Sequence, residues 1–136
     1  MAKDARLVRV SHVLVHMAGQ NGMASSEVIA QKLGTNPVVV RRMMGLLRNA
    51  GLVRSVAGPG GGWQLTQDIE KITLLAVHRA LRSSVFAIDT GMVTTECKVE
   101  HAAQEAIGGA LEVANHALEQ ALANITLADV RTAAGL

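Results

Sequence analysis

Residues 36–66, NPVVVRRMMGLLRNAGLVRSVAGPGGGWQLT, constrain the fold more than any other stretch of the chain. Asn36 is a preferred N-cap, and Pro37 suits the first helical position because its missing N–H would be unpaired there anyway. Gly51 is the usual residue to come after a last turn, so the fourteen residues from 37 to 50 predict one helix with both ends marked. At about 100° per residue, Val40, Met43, Met44, Leu47 and Ala50 gather on one side. The opposite side holds Val38, Arg42, Gly45 and Asn49, flanked by Arg41 and Arg48. A cationic face centred on a glycine lets a backbone come close to a polyanion. The same pattern also fits an ordinary amphipathic helix whose arginines are simply solvated.

The segment after the helix separates these two possibilities. Leu52–Val56 and Trp63–Thr66 alternate as strands, and Ala57–Gly62 cannot hold regular structure, so the segment predicts a β-hairpin with a long flexible tip. A cationic helix leading directly into a hairpin is the order of a winged helix-turn-helix. The glycine run is not read as a phosphate loop, because no G-x-x-x-x-G-K-[ST] occurs and no helix opens directly after it.

A chain of 136 residues is long enough for one domain with a real core and one long appended helix. Two prolines argue against long linkers. No run of about eighteen apolar residues occurs and the N-terminus lacks a signal pattern, so no membrane span or export is expected and the protein is read as cytoplasmic. A single cysteine excludes an internal disulfide framework and fits a reducing compartment. The net charge of +2 conceals an asymmetry: residues 1–85 carry eleven Lys or Arg against four acids, and residues 86–136 carry two against seven. The first part is therefore the polyanion-binding part.

Residues 3–18 place Leu7, Val10, Leu14 and Met17 at helical spacing, with Lys3, Arg6 and Arg9 on the more exposed side. Gly19–Met23 is read as a turn, Ser25 as an N-cap, and Val28, Ile29 and Leu33 as the apolar side of a second helix that ends at Gly34. His12 and His16 lie one turn apart and could face a metal, but no third ligand is near in sequence, and no metal site is assigned. Ile72–Leu81 predicts a further helix. Residues 83–96 show no sustained period, so 1–82 is taken as the DNA-binding unit, 83–98 as a connector and 99–136 as a dimerisation helix with a short closing helix. In the long helix Ile107, Leu111, Ala114, Leu118, Ala121 and Ile125 keep a 4-3-4-3-4 spacing, the seam of a helix that packs on another long helix. The economical occupant is a second copy; the alternative is that it packs back on its own domain. Thr126 can cap the closing helix, which includes Leu127 and Val130.

Ser26-Glu27-Val28-Ile29-Ala30, Asn36 through Arg42, Leu46 through Val53, Gly58-Pro59-Gly60-Gly61-Gly62-Trp63-Gln64-Leu65 and Ile125 through Val130 together resemble the Rrf2 family of bacterial winged-helix regulators. The resemblance covers essentially the whole chain, and its glycine wing is the most specific part. It implies a mainly α fold with a small β-hairpin, a winged helix-turn-helix plus a long C-terminal dimerisation helix. It further implies a homodimeric, sequence-specific regulator of transcription, a repressor on an inverted-repeat operator of double-stranded DNA, and no enzyme. Within that frame, Arg41, Arg48, Arg54 and the backbone of Gly58, Gly60 and Gly61 are assigned to phosphates, while Val38, Val39 and Arg42, after the Asn36-Pro37 cap, are assigned to base edges.

Members of the family that carry an iron–sulfur cluster place three cysteines before the long helix; here that stretch offers Cys97 alone, so the chain resembles the cluster-free branch and no cofactor is expected. His12, His101, Glu96 and Glu100 are the candidate non-thiolate ligands. Cys97 would stand at the start of the long helix, with Lys98 adjacent and His101 one turn on, which suits a thiolate that oxidises or pairs with its twin in the dimer. The alternative is a buried, inert cysteine. Cys97 with His101 as a thiol enzyme lacks an oxyanion hole and an orienting third group. Other classes stay open: a ligand-responsive regulator with a silent Cys97, a module that docks a metabolic enzyme through its acidic helix, and a sequence-blind nucleoid protein.

Overall fold

The computed structural model of the protein describes residues 5–19, 23–82 and 96–136. These form α1 (Arg6–Gly19), β1 (Met23–Ala24), α2 (Ser26–Leu33), α3 (Pro37–Asn49), β2 (Val53–Val56), β3 (Gly62–Leu65), a 3-10 turn (Ile69–Lys71), α4 (Leu74–Leu81), α5 (Lys98–Ala123) and α6 (Leu127–Ala133). Lys3 and residues 83–95 of the expected connector lie outside the described residues.

Four helices start on side-chain caps that the sequence provides. Ser25 Oγ accepts from Val28 N–H at 3.2 Å, Asn36 Oδ1 from Val39 N–H at 3.1 Å and Thr73 Oγ1 from Ala76 N–H at 3.1 Å. In α6 the cap is reciprocal: Thr126 Oγ1 accepts from Asp129 N–H at 3.1 Å, and Asp129 Oδ2 accepts from Thr126 N–H at 2.8 Å. Each such cap stabilises its helix by about 1 kcal/mol by satisfying a backbone donor with no partner inside the helix. Thr73 is also why α4 begins at Leu74 and not at the expected Ile72.

The sheet has three antiparallel strands in the order β1-β3-β2. β2 and β3 are the expected hairpin, with Val53 opposite Leu65 and Val56 opposite Gly62. β1 corrects the reading of Gly19–Met23 as a turn alone, since Met23 and Ala24 pair with Gln64 and Trp63. A pairing of two residues has no alternation to read; it forms because β3 has a second edge to fill. The approach is close. A Cβ on Gly62 would lie 2.5 Å from the carbonyl oxygen of Ala24, so only glycine fits there. Trp63, 7% exposed, then reaches past β1 and donates Nε1–H to Ser26 Oγ at 3.0 Å. The root of the hairpin is thereby fixed to α2.

Leu14 and Met17 of α1, Ile29 of α2, Met44 and Leu47 of α3, Val53 of β2 and Leu81 of α4 form the centre of one core, each at most 2% exposed. Leu127, wholly buried, brings α6 back into the same core after the long helix. The return is secured by an antiparallel bridge between Thr73 and Thr126, in which Leu74 N–H donates to the Ile125 carbonyl at 2.8 Å and Leu127 N–H to the Ile72 carbonyl at 2.9 Å.

α5 is 26 residues long, about 39 Å at the usual rise per residue. Leu122 is its one buried side chain, and Glu119 Oε2 lies 3.1 Å from Arg79 Nη2 of α4. The foot of α5 therefore packs on its own domain, through a residue outside the expected seam. Ile107, Leu111, Ala114 and Leu118 fall on the helix, with Ile107 43% exposed. Ile125 does not: α5 ends at Ala123 with Asn124 as C-cap, because the capping box of α6 claims the chain from Thr126 onward. Ala50 is likewise not on the buried side of α3 but is its exposed C-cap. No helix among the described residues is long and apolar enough to cross a membrane.

Candidate nucleic-acid interface

The residues assigned to nucleic acid divide into those that set the frame and those that present chemistry. Asn36 and Pro37 are frame: one caps α3 and the other occupies its first turn. Behind them Val40, Met43, Met44 and Leu47 bury one side of the helix, which fixes the rotation of the other. That other side presents Val38, 58% exposed, Val39, 36% exposed, and the exposed Arg41, Arg42 and Arg48. Two exposed valines next to an arginine at a helix N-terminus give a short apolar and cationic patch. It offers a methyl surface for thymine and a forked donor for guanine.

Not all of the arginines are free to move. Arg41 Nη2 lies 3.4 Å from Glu27 Oε1 of α2, an exposed pair that a stronger anion can displace. Arg9 of α1 donates to the Leu33 carbonyl at the end of α2. A cleft of about 440 Å³ between the start of α1 and α3 brings Arg6, Arg9, Thr35, Val39 and Arg42 to one surface. No pattern within either helix pairs the bases of α1 with Arg42, since that proximity depends on how α1 crosses α3.

On the hairpin, Arg54 Nε and Nη2 donate to Gln64 Oε1 at 2.9 and 2.6 Å. Arg54 and Gln64 are direct cross-strand neighbours, so this pair was within reach of the alternation pattern once the register was known. The guanidinium is held upright on the outer face of the hairpin and keeps donors for a phosphate. At the tip, Gly58 and Gly60 have φ of +90° and +73°. Gly61 is under the hardest constraint: a Cβ there would meet the Val56 carbonyl oxygen at 2.2 Å. A tip with so little side-chain bulk suits a narrow groove. Gly45, at the middle of the exposed side of α3, would meet nothing within 4 Å if it carried a Cβ, so no neighbour among the described residues requires it.

Residues 4–133 match the family Rrf2, described as iron-dependent transcriptional regulators. The chain belongs to the Rrf2 family. It is 36% identical to YwnA of Bacillus subtilis strain 168, assigned as an HTH-type transcriptional regulator, over 93% of this chain and 95% of YwnA. The crystal structure of a protein described as DNA-binding superposes with a TM-score of 0.75 at 35% identity, covering 93% of this chain and 98% of that one. IscR of T. potens superposes with a TM-score of 0.69 at 26% identity, covering 98% and 88%. This Rrf2 chain is accordingly a DNA-binding regulator of transcription with a winged-helix fold, in a family of regulators and not of enzymes.

The iron in the family's description does not fit this chain's donors. Cys97 is its single cysteine, and among the described residues no group of three His, Cys, Asp or Glu is placed to hold a metal. One thiolate per chain cannot hold an iron–sulfur cluster in the usual way. Cys97 itself is exposed, not buried, and occupies the N-cap of α5. The backbone N–H groups of Glu100 and Val99, turned toward the sulfur, hold its pKa below the ordinary thiol value.

Proposed function

We propose that the protein acts as a homodimeric repressor that binds an inverted-repeat operator, with residues 1–82 as reading unit, 83–98 as connector and 99–136 as dimerisation module. The observation that carries this reading is the pairing of a cationic outer side of α3, held by a buried inner side, with a seam on α5 that its own domain covers only in part: Ile107 is 43% exposed, and Leu111, Ala114 and Leu118 are half-buried. A second copy of α5 is the simplest cover, and two-fold pairing would set two α3 helices about one helical turn of DNA apart.

In this reading Arg42, Val38 and Val39 read bases. Arg41, Arg48, Arg54 and the amides of Gly58, Gly60 and Gly61 neutralise or approach phosphates. Cys97, at the junction of connector and α5, is the proposed switch: oxidation there changes how the two reading units are spaced, and loss of spacing removes one subunit's contacts. The compartment that suits an exposed, unpaired thiol is the cytoplasm.

Fluorescence anisotropy of the reduced protein on the DNA upstream of its own coding region tests the reading, with scrambled DNA as reference. Tight binding to the upstream DNA that Arg42→Ala weakens by about 1–3 kcal/mol is the expected result. Equal affinity for both DNAs would sink it in favour of a sequence-blind binder. Peroxide is then added to wild type and Cys97→Ser. Release in the wild type alone supports the thiol switch; release in neither makes Cys97 silent and leaves regulation to a ligand or protein.

A further inference from the structure

His12 and His16 are not among the residues assigned to DNA, yet their placement is specific. Both lie on α1 one turn apart, so their side chains leave the helix on one face. The ring centroids are 4.6 Å apart, with the planes inclined at 73°. Neither imidazole has a hydrogen bond to a described residue. Two rings whose nitrogens bind one ion at the usual 2.0–2.1 Å, with an angle of about 90–110° at the metal, have centroids about 4.5–5.2 Å apart. The observed spacing, in an edge-to-face contact, falls within that range. The same two-histidine spacing on one helix face supplies two of the three protein ligands in metalloprotease helices.

The surroundings fit a labile ion. Both histidines line a groove of about 470 Å³ between α1 and α6, walled by apolar side chains such as Leu7, Val15, Leu74 and Val130. In that groove Ser11, 6% exposed, has an Oγ without a hydrogen-bond partner among the described residues, which gives a metal-bound water an acceptor. Lys32 lies near enough to act on the charge of His16. Lys32 opposes a cation, and water completes the coordination, so the site is exchangeable and not structural.

We propose that His12 and His16 form a site for a divalent transition-metal ion, of the imidazole-preferring series Cu²⁺, Ni²⁺ and Zn²⁺, on α1 at the mouth of this groove. The assignment is independent of dimerisation and of Cys97.

Titration of Zn²⁺ into the reduced full chain in competition with a chromophoric chelator tests it. One ion per chain is expected for wild type and equally for Cys97→Ser. His12→Ala and His16→Gln each weaken uptake at least tenfold, and the double variant, folded by circular dichroism, takes up none at that site. Replacing His78, His101 or His116 leaves the titration unchanged. The proposal fails if the double variant titrates like wild type, if Cys97→Ser abolishes uptake, or if the wild type shows no stoichiometric uptake.

Discussion

α3 and α5 are both amphipathic helices, but what covers their apolar sides differs. Of the 13 residues of α3 four are buried, within one core in which α2, α4 and β2 pack on the helix. Of the 26 residues of α5 one is buried, at the end where the chain turns back into that core. Helices draw most of their stability in water from packing an apolar side, more than from propensity. The contrast separates a part of the molecule that is finished by its own chain from one that is not. On the proposed dimer, the second is finished by another copy.

The first test strikes the finished part. Leu47, wholly buried at the centre of the α3 packing, should cost about 2–5 kcal/mol of unfolding free energy when replaced by alanine. Urea denaturation monitored by circular dichroism measures this, and a loss under about 1 kcal/mol would mean that the core closes over the space unusually well.

The second test strikes the unfinished part. Ile107→Asp removes a side chain that is 43% exposed in the single chain, so the core loses nothing, but an aspartate within a helix seam would break the pairing. Sedimentation should show a dimer dissociation constant raised at least tenfold, about 1.4 kcal/mol. The concentration dependence of the wild-type unfolding midpoint should also disappear. An unchanged dimer would mean that another face of α5 is the one covered. The third is smaller: Arg48→Ala should lower the steepness of log affinity against log salt by about 0.9 for each phosphate lost per subunit, with base preference unchanged. A change of preferred sequence instead would move Arg48 from phosphate contact to base reading.

The same contrast governs what was legible in the sequence. The frame of α3 was, because Asn36, Pro37 and Gly51 act within a few residues of themselves. The hairpin was, because alternation and glycine are local too. β1 was not: Met23 and Ala24 become a strand only because Trp63 and Gln64, far along the chain, offer an edge. The error at Ile125 is more instructive. A 4-3 spacing runs on past the end of any helix, whereas Thr126 with Asp129 carried the signature of a new N-terminus and should have overruled it. The pairs Arg54–Gln64 and Arg41–Glu27 depended on register and on helix crossing, which no single-segment pattern holds. On the proposed dimer, the fate of α5's apolar residues depends on a second copy of the chain.

The smallest expected effect lies on the border between the two parts, at His16. The ring is half-buried beside the groove that meets the foot of α5, and burial, His12 and Lys32 all disfavour its charged form. The folded chain thus binds a proton at His16 less readily than the unfolded chain does. Stability from this source is complete above the ordinary pKa of 6.5 and is lost as the pH falls from there through the lowered value. Metal-free protein should therefore show a lower urea midpoint at pH 5.5 than at pH 8, and His16→Gln, which does not titrate, should show a smaller drop. The comparison must be of the two slopes, since the chain has four other histidines. Equal slopes in wild type and variant would mean that His16 is solvated enough to charge freely in the folded protein, and that the α1 face of the groove opens more readily than its apolar walls suggest.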